Sequence, residues 1–218
     1  MDNRHRDIER VADEDPKASR VLITLLFTDI VGSTRLAAEL GDRGWLRLIE
    51  THHAKVRELL TGFDGREVDC AGDGFFATFD TATSAIGCGD AIRSSVGALG
   101  LEVRAGMHTG ECERTDGKVR GIAVHTAARL VGLARPGEVL VTATVRDVVA
   151  GSGIRFEDRG ARALRGIPGL WRLYAVTNGE QTALHSVVPD ARRNGFGSDG
   201  SRRRRGPRTA AHSSTRSG

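Results

Sequence analysis

An α+β fold, a ferredoxin-like mixed sheet with helices packed on it, is predicted by three observations. Strand-like and helix-like patterns alternate along the chain in the order β-α-α-β-β-α-β-α-β. Two short apolar runs flank Ala71-Gly-Asp-Gly74 as a hairpin set between two helices. The opening run, Arg20–Phe27, is β-branched and apolar, and has the length of a buried strand. The order places the helices on one face of the sheet.

Each element has its own local cause. Ser33–Gly41 starts with Ser/Thr capping residues and ends in Gly, which predicts a helix. Arg43–Leu60 sets Trp45, Leu48, Ile49, His52, Val56, Leu59 and Leu60 at three- and four-residue steps, an amphipathic helix. Gly62–Gly65 is a turn, and Arg66–Cys70 and Phe75–Phe79 are the hairpin strands. Ala82–Ala98 is Ala/Ile/Val-rich and helical, and Leu101–Thr109 alternates as a strand. Ile122–Ala134 is a further helix, Glu138–Thr142 a strand and Thr144–Ala150 a short helix. Ile154–Asp158 and Trp171–Val176 complete the set as strands.

The 218 residues are enough for one domain with tails: a polar lead-in (1–19), a folded core (20–177) and an Arg/Ser/Gly-rich tail (178–218) that reads as disordered. The longest strongly apolar run, Val21–Phe27, is far short of the ~20 residues of a membrane helix. The N-terminus MDNRHRDIER offers no apolar segment, so no secretory signal is expected. Three cysteines, Cys70, Cys88 and Cys112, form no C-x-x-C pair, which fits a reducing cytoplasm. The net charge of +4 is unevenly placed: from Gly179 onward eight Arg face Glu180, Asp190 and Asp199, leaving −1 for the rest. The folded part therefore gives no reason to expect a nucleic-acid face. Arg202–Arg205 has no interleaved aromatics and reads as a solvated run, with nucleic acid or an anionic membrane surface as its other possible contacts.

Three stretches carry chemistry. In Phe27-Thr-Asp29-Ile-Val-Gly-Ser-Thr34 a strand runs into an Asp, a small-residue loop and a helix start. The loop N–H groups and helix dipole attract phosphate, and Asp29 offers hard oxygen to Mg²⁺ or simply caps the turn. Asp73, at the hairpin tip, reaches the same end of the sheet if the hairpin pairs beside the first strand. Two converging carboxylates are what a two-metal phosphoryl-transfer site needs, although Asp and Gly also suit a bare β-turn. Gly72-x-Gly74-x-x-Ala77 imitates a dinucleotide fingerprint, but the residues after it continue as a strand. In Gly121-Ile-Ala-Val-His125-Thr-Ala-Ala-Arg129, His125 and Arg129 are four apart and share a helix face, as a phosphate clamp or as solvated polar residues.

Together, and in this order, these stretches resemble class III nucleotidyl cyclase catalytic domains over about Arg20 to Val176. The resemblance extends through Pro136-Gly-Glu-Val-Leu-Val-Thr142, Phe156-Glu-Asp-Arg-Gly160 and Leu164-Arg-Gly-Ile-Pro-Gly169 to Leu173-Tyr-Ala-Val176. It implies conversion of a purine nucleoside triphosphate, ATP or GTP, to the 3′,5′-cyclic monophosphate and pyrophosphate. It further implies two divalent cations, Mg²⁺ or Mn²⁺, held by Asp29, Asp73 and the Ile30 backbone carbonyl. Phosphate would be bound by Gly32, Ser33, Thr34 and Arg165, where the family's usual lysine is an arginine. The helix arginine that steadies the transition state falls on Arg129. Sites would form head to tail between two copies, so a homodimer is implied.

Three positions depart from the family pattern. The helix asparagine is His125, in a G-I-A-V-H run found in a variant of the family. The adenine-reading lysine is Asp69. The partnering aspartate aligns with Lys118, with Asp116 as a rival across the loop Glu111–Arg120. Asp69 and Lys118 would together reverse the hydrogen-bond pattern offered to the base and suit guanine, or neither reads the base. A different class of function, a catalytically weak or inactive nucleotide-binding regulatory module, is favoured by these departures and disfavoured by the intact aspartates and Arg129. His52 and His53, adjacent on a helix, are expected to point to different faces, and His108 with Cys112 lacks partners for a zinc site. Trp45 and Trp171 are expected in the core or at a dimer interface.

Overall fold

A computed structural model describes residues 19–177. The expected lead-in and tail, Ser19 apart, lie outside the described residues. The first 8 elements are a βαββαβ unit, a strand that extends it as a hairpin, and a helix. They are β1 (Ser19–Ile30), α1 (Ser33–Gly62), β2 (Arg66–Ala71), β3 (Gly74–Phe79), α2 (Ala82–Gly97), β4 (Val103–Thr115), β5 (Lys118–Arg120) and α3 (Ile122–Val131). β6 (Val139–Thr142), α4 (Ala143–Val148), β7 (Phe156–Leu164) and β8 (Ile167–Val176) follow. The sheet order is β2-β3-β1-β4-β6-β8-β7, with β5 paired to β4. Its first four strands have the ferredoxin-like arrangement, all antiparallel neighbours, while β6 lies parallel to β4.

Alternation along β1 divides the core. Leu26 and Ile30 face α1 and α2, where they meet Ile49, Val56 and Leu60 from α1 and Ile86, Ile92 and Val96 from α2. Ile23 and Leu25 face the other way and pack with Phe76, Cys112, Ala123 and Ala127. The helices thus lie on both faces: α3 takes the side opposite α1 and α2, not the single face expected. The reason is visible in β4. It runs six residues beyond its expected end at Thr109, turns through Asp116-Gly117 and returns as β5, which delivers the chain to the far face. Gly106 then lets α3 sit directly on the strand, since a Cβ there would fall 2.3 Å from the Val131 nitrogen.

Other boundaries move for local reasons. Within the span of α1 the two expected helices Ser33–Gly41 and Arg43–Leu60 are both present, meeting at a kink where Gly41, with φ 65° and ψ 167°, leaves the helical conformation. β1 extends from its expected end at Phe27 through Asp29 to Ile30 because β4 pairs with it along its whole length, which keeps Asp29 at the strand end. Ile154–Asp158 and Trp171–Val176 lengthen into the β7–β8 hairpin, turned by Arg165-Gly166, where Gly166 has φ 78°.

Candidate functional site

The two aspartates arrive at one corner of the sheet by separate routes. Asp29 is the penultimate residue of β1, paired with Arg104 of β4 and projecting to the face that carries α3. Asp73 sits in the two-residue turn that joins Ala71 to Gly74. β3 pairs with β1 up to Thr28–Phe75, which carries this turn past the end of the ladder. The Ile30 N–H then donates to Asp73 Oδ2 at 3.2 Å, one residue from Asp29. Gly74 is tight for a reason: a Cβ there would stand 3.0 Å from the Thr28 carbonyl oxygen.

Arg104 is a residue that sequence reasoning missed. Its Nε and Nη2 both donate to Asp29 Oδ2, at 2.8 and 2.5 Å. A charge-assisted pair of this kind neutralises one oxygen of Asp29 and aims its carboxylate. Local sequence held no signal for it, because Arg104 is 75 residues away and meets Asp29 only through strand register. Among the described residues, Asp29 Oδ1 and Asp73 Oδ1 have no hydrogen-bond partner. Two hard carboxylates, each with one oxygen unengaged among the described residues, beside a strand-end backbone form a donor set that suits Mg²⁺ or Mn²⁺. No group of three or more His, Cys, Asp or Glu side chains lies at cation-binding separation among the described residues.

The loop after β1 is two residues long. Gly32 adopts φ 69° and caps α1, a left-handed conformation that only glycine enters freely. Ser33 and Thr34 follow in the first turn. They line a cleft of about 420 Å³ with Ala37, Trp45, Leu46, Ile49, Gly72 and Asp73. The structure therefore brings Gly32, Ser33 and Thr34 to the acidic corner. His52 and His53 of α1 stand against the same turn. His52 is fully buried, and burial, reinforced by neighbouring His53 and opposed by Asp73, lowers its pKa to about 4. His53 is half-buried and its Nε2 lies 3.0 Å from the Gly72 carbonyl oxygen. The two rings differ in exposure, yet both pack on Phe75, at 5.9 and 5.2 Å between centroids.

A second cluster is cationic. His125 and Arg129 are exposed on α3, whose opposite side buries Ala123, Ala127 and Leu130. Arg129 Nε donates to the Arg165 carbonyl oxygen at 3.2 Å, which ties α3 to the β7–β8 turn. The Arg165 side chain is exposed at that turn. α3 lies on the face to which Asp29 projects, but no hydrogen bond or ion pair joins the two clusters among the described residues.

The two base-reading candidates are not brought together. Asp69 lies at a bulge in β2 opposite Phe76, is exposed, and accepts the Cys70 N–H at 2.9 Å. Following the register through Phe76 and Phe27 reaches Gly106 of β4. Lys118 pairs with Thr115, nine residues further along β4, or roughly 30 Å of strand. Alternation turns Val119, not Lys118, toward the α3 face. Asp116 holds the turn between them with φ 47°.

Two residues with ligand-like spacing have structural surroundings. His108 is buried, its Nδ1 lies 2.9 Å from Thr142 Oγ1, and its ring meets Trp171 edge-on. Cys112 is buried in the α3-side core. Trp171 is half-buried and donates from Nε1 to the Pro168 carbonyl oxygen. Trp45 is half-buried beside the Asp73 cleft.

The sheet described above superposes on nucleotidyl cyclase domains of known structure. The adenylyl cyclase CyaB of P. aeruginosa superposes with TM-score 0.70 at 23% identity, over 75% of this chain and 97% of that one. An adenylate/guanylate cyclase/hydrolase from Silicibacter pomeroyi superposes with TM-score 0.68 at 26% identity, over 74% and 99%. The family model for the adenylate and guanylate cyclase catalytic domain matches residues 16–178, and the chain belongs to that family. An uncharacterized protein of Mycobacterium tuberculosis (strain ATCC 25618 / H37Rv) is 32% identical over 152 residues, 67% of this chain and 52% of its own length. Putative adenylate cyclase 3 of Rhizobium meliloti is 29% identical over 158 residues, 68% of this chain and 27% of its own length. The chain thus spans about half the length of the mycobacterial relative. No helix among the described residues is long and apolar enough to cross a membrane.

Proposed function

We propose that this chain cyclises a purine nucleoside triphosphate, ATP or GTP, to the 3′,5′-cyclic monophosphate with release of pyrophosphate, at sites shared by two copies. The observation that carries the reading is the acidic corner: residues 43 apart in sequence meet through the Ile30 N–H and Asp73. Asp29, Asp73 and the Ile30 carbonyl would hold two divalent cations, Mg²⁺ or Mn²⁺. When bound, such ions acidify the attacking 3′-hydroxyl and offset charge on the departing pyrophosphate.

The chain's own groups supply the rest. Gly32, Ser33 and Thr34 present N–H groups at a helix start, where phosphate oxygens are favoured. Arg129 and Arg165 are exposed cations for the phosphates, where developing negative charge needs compensation. His125, beside Arg129, can donate a hydrogen bond to ribose or phosphate. The acids and the arginines do not touch within one protomer, and this supports a head-to-tail dimer in which one copy supplies acids and its partner cations.

Nucleotide choice stays within ATP and GTP. The register separates Asp69 from Lys118 in one protomer, which weighs against their reading one base as a reversed pair. That separation is also the observation favouring the second reading, a weakly active or inactive nucleotide-binding module. The test is turnover of ATP and GTP by the purified chain with Mg²⁺ or Mn²⁺, products being identified by chromatography. Cyclic product that disappears in Asp73→Ala supports the enzyme. No turnover of either nucleotide, or turnover that survives the substitution, ends this reading of the site.

A further inference from the structure

We propose that His53 is a positioning residue for Asp73, acting through the Gly72 peptide; the inference rests on the reading of Asp73 as a cation ligand. The turn between β2 and β3 has two central residues. Gly72 has φ 64°, whereas Asp73 is not among the positive-φ residues. In a two-residue hairpin turn, positive φ at the first central residue and negative φ at the second is the φ pattern of type II′. Rotating the Gly72–Asp73 peptide plane would turn it into type I′, which demands positive φ at Asp73 as well. The rotation would redirect the Asp73 Cβ and withdraw its carboxylate from the Ile30 N–H. The orientation of one peptide therefore decides where Asp73 points.

His53 holds that peptide. Its Nε2 is 3.0 Å from the Gly72 carbonyl oxygen, and a carbonyl only accepts, so Nε2 carries the proton and donates. The ring is itself fixed by edge-on packing against Phe75, 5.2 Å between centroids at 88°. Phe75 belongs to β3 and is 2% exposed, so the donor is anchored to the strand that leaves the turn. His53 Nε2 also lies 3.7 Å from Cys70 Sγ on the strand that enters it. Donor, turn and both hairpin strands thus form one closed unit on α1. In the rotated turn the Gly72 oxygen would leave His53 with no acceptor there.

The test separates the hydrogen bond from the packing. His53→Phe keeps an aromatic ring against Phe75 and removes the donor; His53→Gln restores a donor near the Nε2 position. Mn²⁺ binding to the full chain is measured by electron paramagnetic resonance, with a saturating 3′-deoxynucleoside triphosphate that cannot cyclise. The expected result is Mn²⁺ binding weakened about five-fold in His53→Phe and returned to within about two-fold by His53→Gln, as for one lost hydrogen bond. Turnover should follow the same order, with the nucleotide KM unchanged. His53→Phe binding Mn²⁺ as tightly as the unaltered chain, or His53→Gln as weak as His53→Phe, overturns the proposal. Loss of a cooperative thermal transition in both variants also overturns it, by making His53 a folding residue. Asp73→Asn is the control: if it binds Mn²⁺ unchanged, the reading of Asp73 as a ligand fails first. If it is weakened while His53→Phe is not, only the positioning role fails.

Discussion

The acidic corner and the cationic face are built in opposite ways. Asp29 is locked inside a paired strand and bound twice by Arg104, while Asp73 is tied to the Ile30 N–H. Arg129 and Arg165 are exposed and, among the described residues, are joined by one hydrogen bond to a backbone carbonyl. A paired strand, an arginine and a tight turn each fix one carboxylate in place at the same corner of the sheet. Long arginine side chains carry no such constraint and can be ordered by the group that they meet. Under the proposed function, such a protomer would present a preformed acid half-site and an adaptable cation half-site.

The largest expected effect breaks that comparison across two copies. Asp73→Ala and Arg129→Ala should each lower turnover at least about a hundred-fold, by removing a cation ligand and a charge-stabilising donor respectively. Mixed in equal amounts with subunit exchange, the two inactive proteins should regain roughly a quarter of the unaltered activity. Half of the dimers are then mixed, and each mixed dimer has one intact site of two. Failure of the mixture to exceed the separate variants, once exchange has been verified, would place both half-sites in a single protomer.

The next effect concerns how α3 is carried. Gly106→Ala should destabilise the fold by about 3 kcal/mol, because its Cβ would stand 2.3 Å from Val131 N and 2.8 Å from the Leu130 carbonyl carbon. Backbone atoms of a packed helix cannot step aside as a side-chain tip can. Chemical denaturation of Gly106→Ala reads this directly. Gly137→Ala sharpens the contrast: its Cβ would meet nothing within 4 Å, so whatever it costs comes only from its φ of 70°.

The same contrast explains what the sequence disclosed. The strand–Asp–loop–helix stretch and the Gly-Asp turn are local signals, so both aspartates were legible, as were the helices with three- and four-residue spacing. β5 was not, because Glu111, Glu113, Arg114 and Asp116 give the β4–β5 arm the composition of a loop. Its strand character comes from pairing with β1 and with itself. The face chosen by α3 was not legible either. An Ala-rich helix stripe fits either side of a sheet, and only the β4–β5 reversal selects one. Arg104 on Asp29 and His53 on Gly72 were hidden for a related reason: each contact joins different elements, and register, not spacing, creates it.

Buried histidine gives a smaller, pH-dependent effect on the fold that holds both half-sites. Burial lowers the His108 pKa from 6.5 to about 4. Between these values the unfolded chain binds the proton and the folded chain does not, so falling pH favours unfolding. The contribution of neutral His108 is present above pH 6.5 and is lost progressively toward pH 4, roughly 3 kcal/mol in all. Urea midpoints measured across this window should fall with pH, and His108→Gln should flatten part of that slope. An unchanged slope in the variant would assign the acid sensitivity elsewhere, with His52, lowered to about 4 by its own burial, the first group to examine.

The smallest expected effect is a coupling close to zero. If Asp69 and Lys118 contacted one base as a pair, replacing either would alter what the other contributes, because neighbours that share a partner are not additive. The register puts them nine residues apart along β4, and alternation turns Lys118 away from the α3 face. Their effects on the ratio of kcat/KM for GTP to that for ATP should therefore add, with a coupling below about 0.5 kcal/mol in a cycle of Asp69→Ala, Lys118→Ala and the double variant. A coupling above about 1 kcal/mol would mean that the two side chains meet on the nucleotide. The β4–β5 arm would then have to fold toward the acidic corner when substrate binds, and the cation half-site would extend well beyond α3 and the β7–β8 turn.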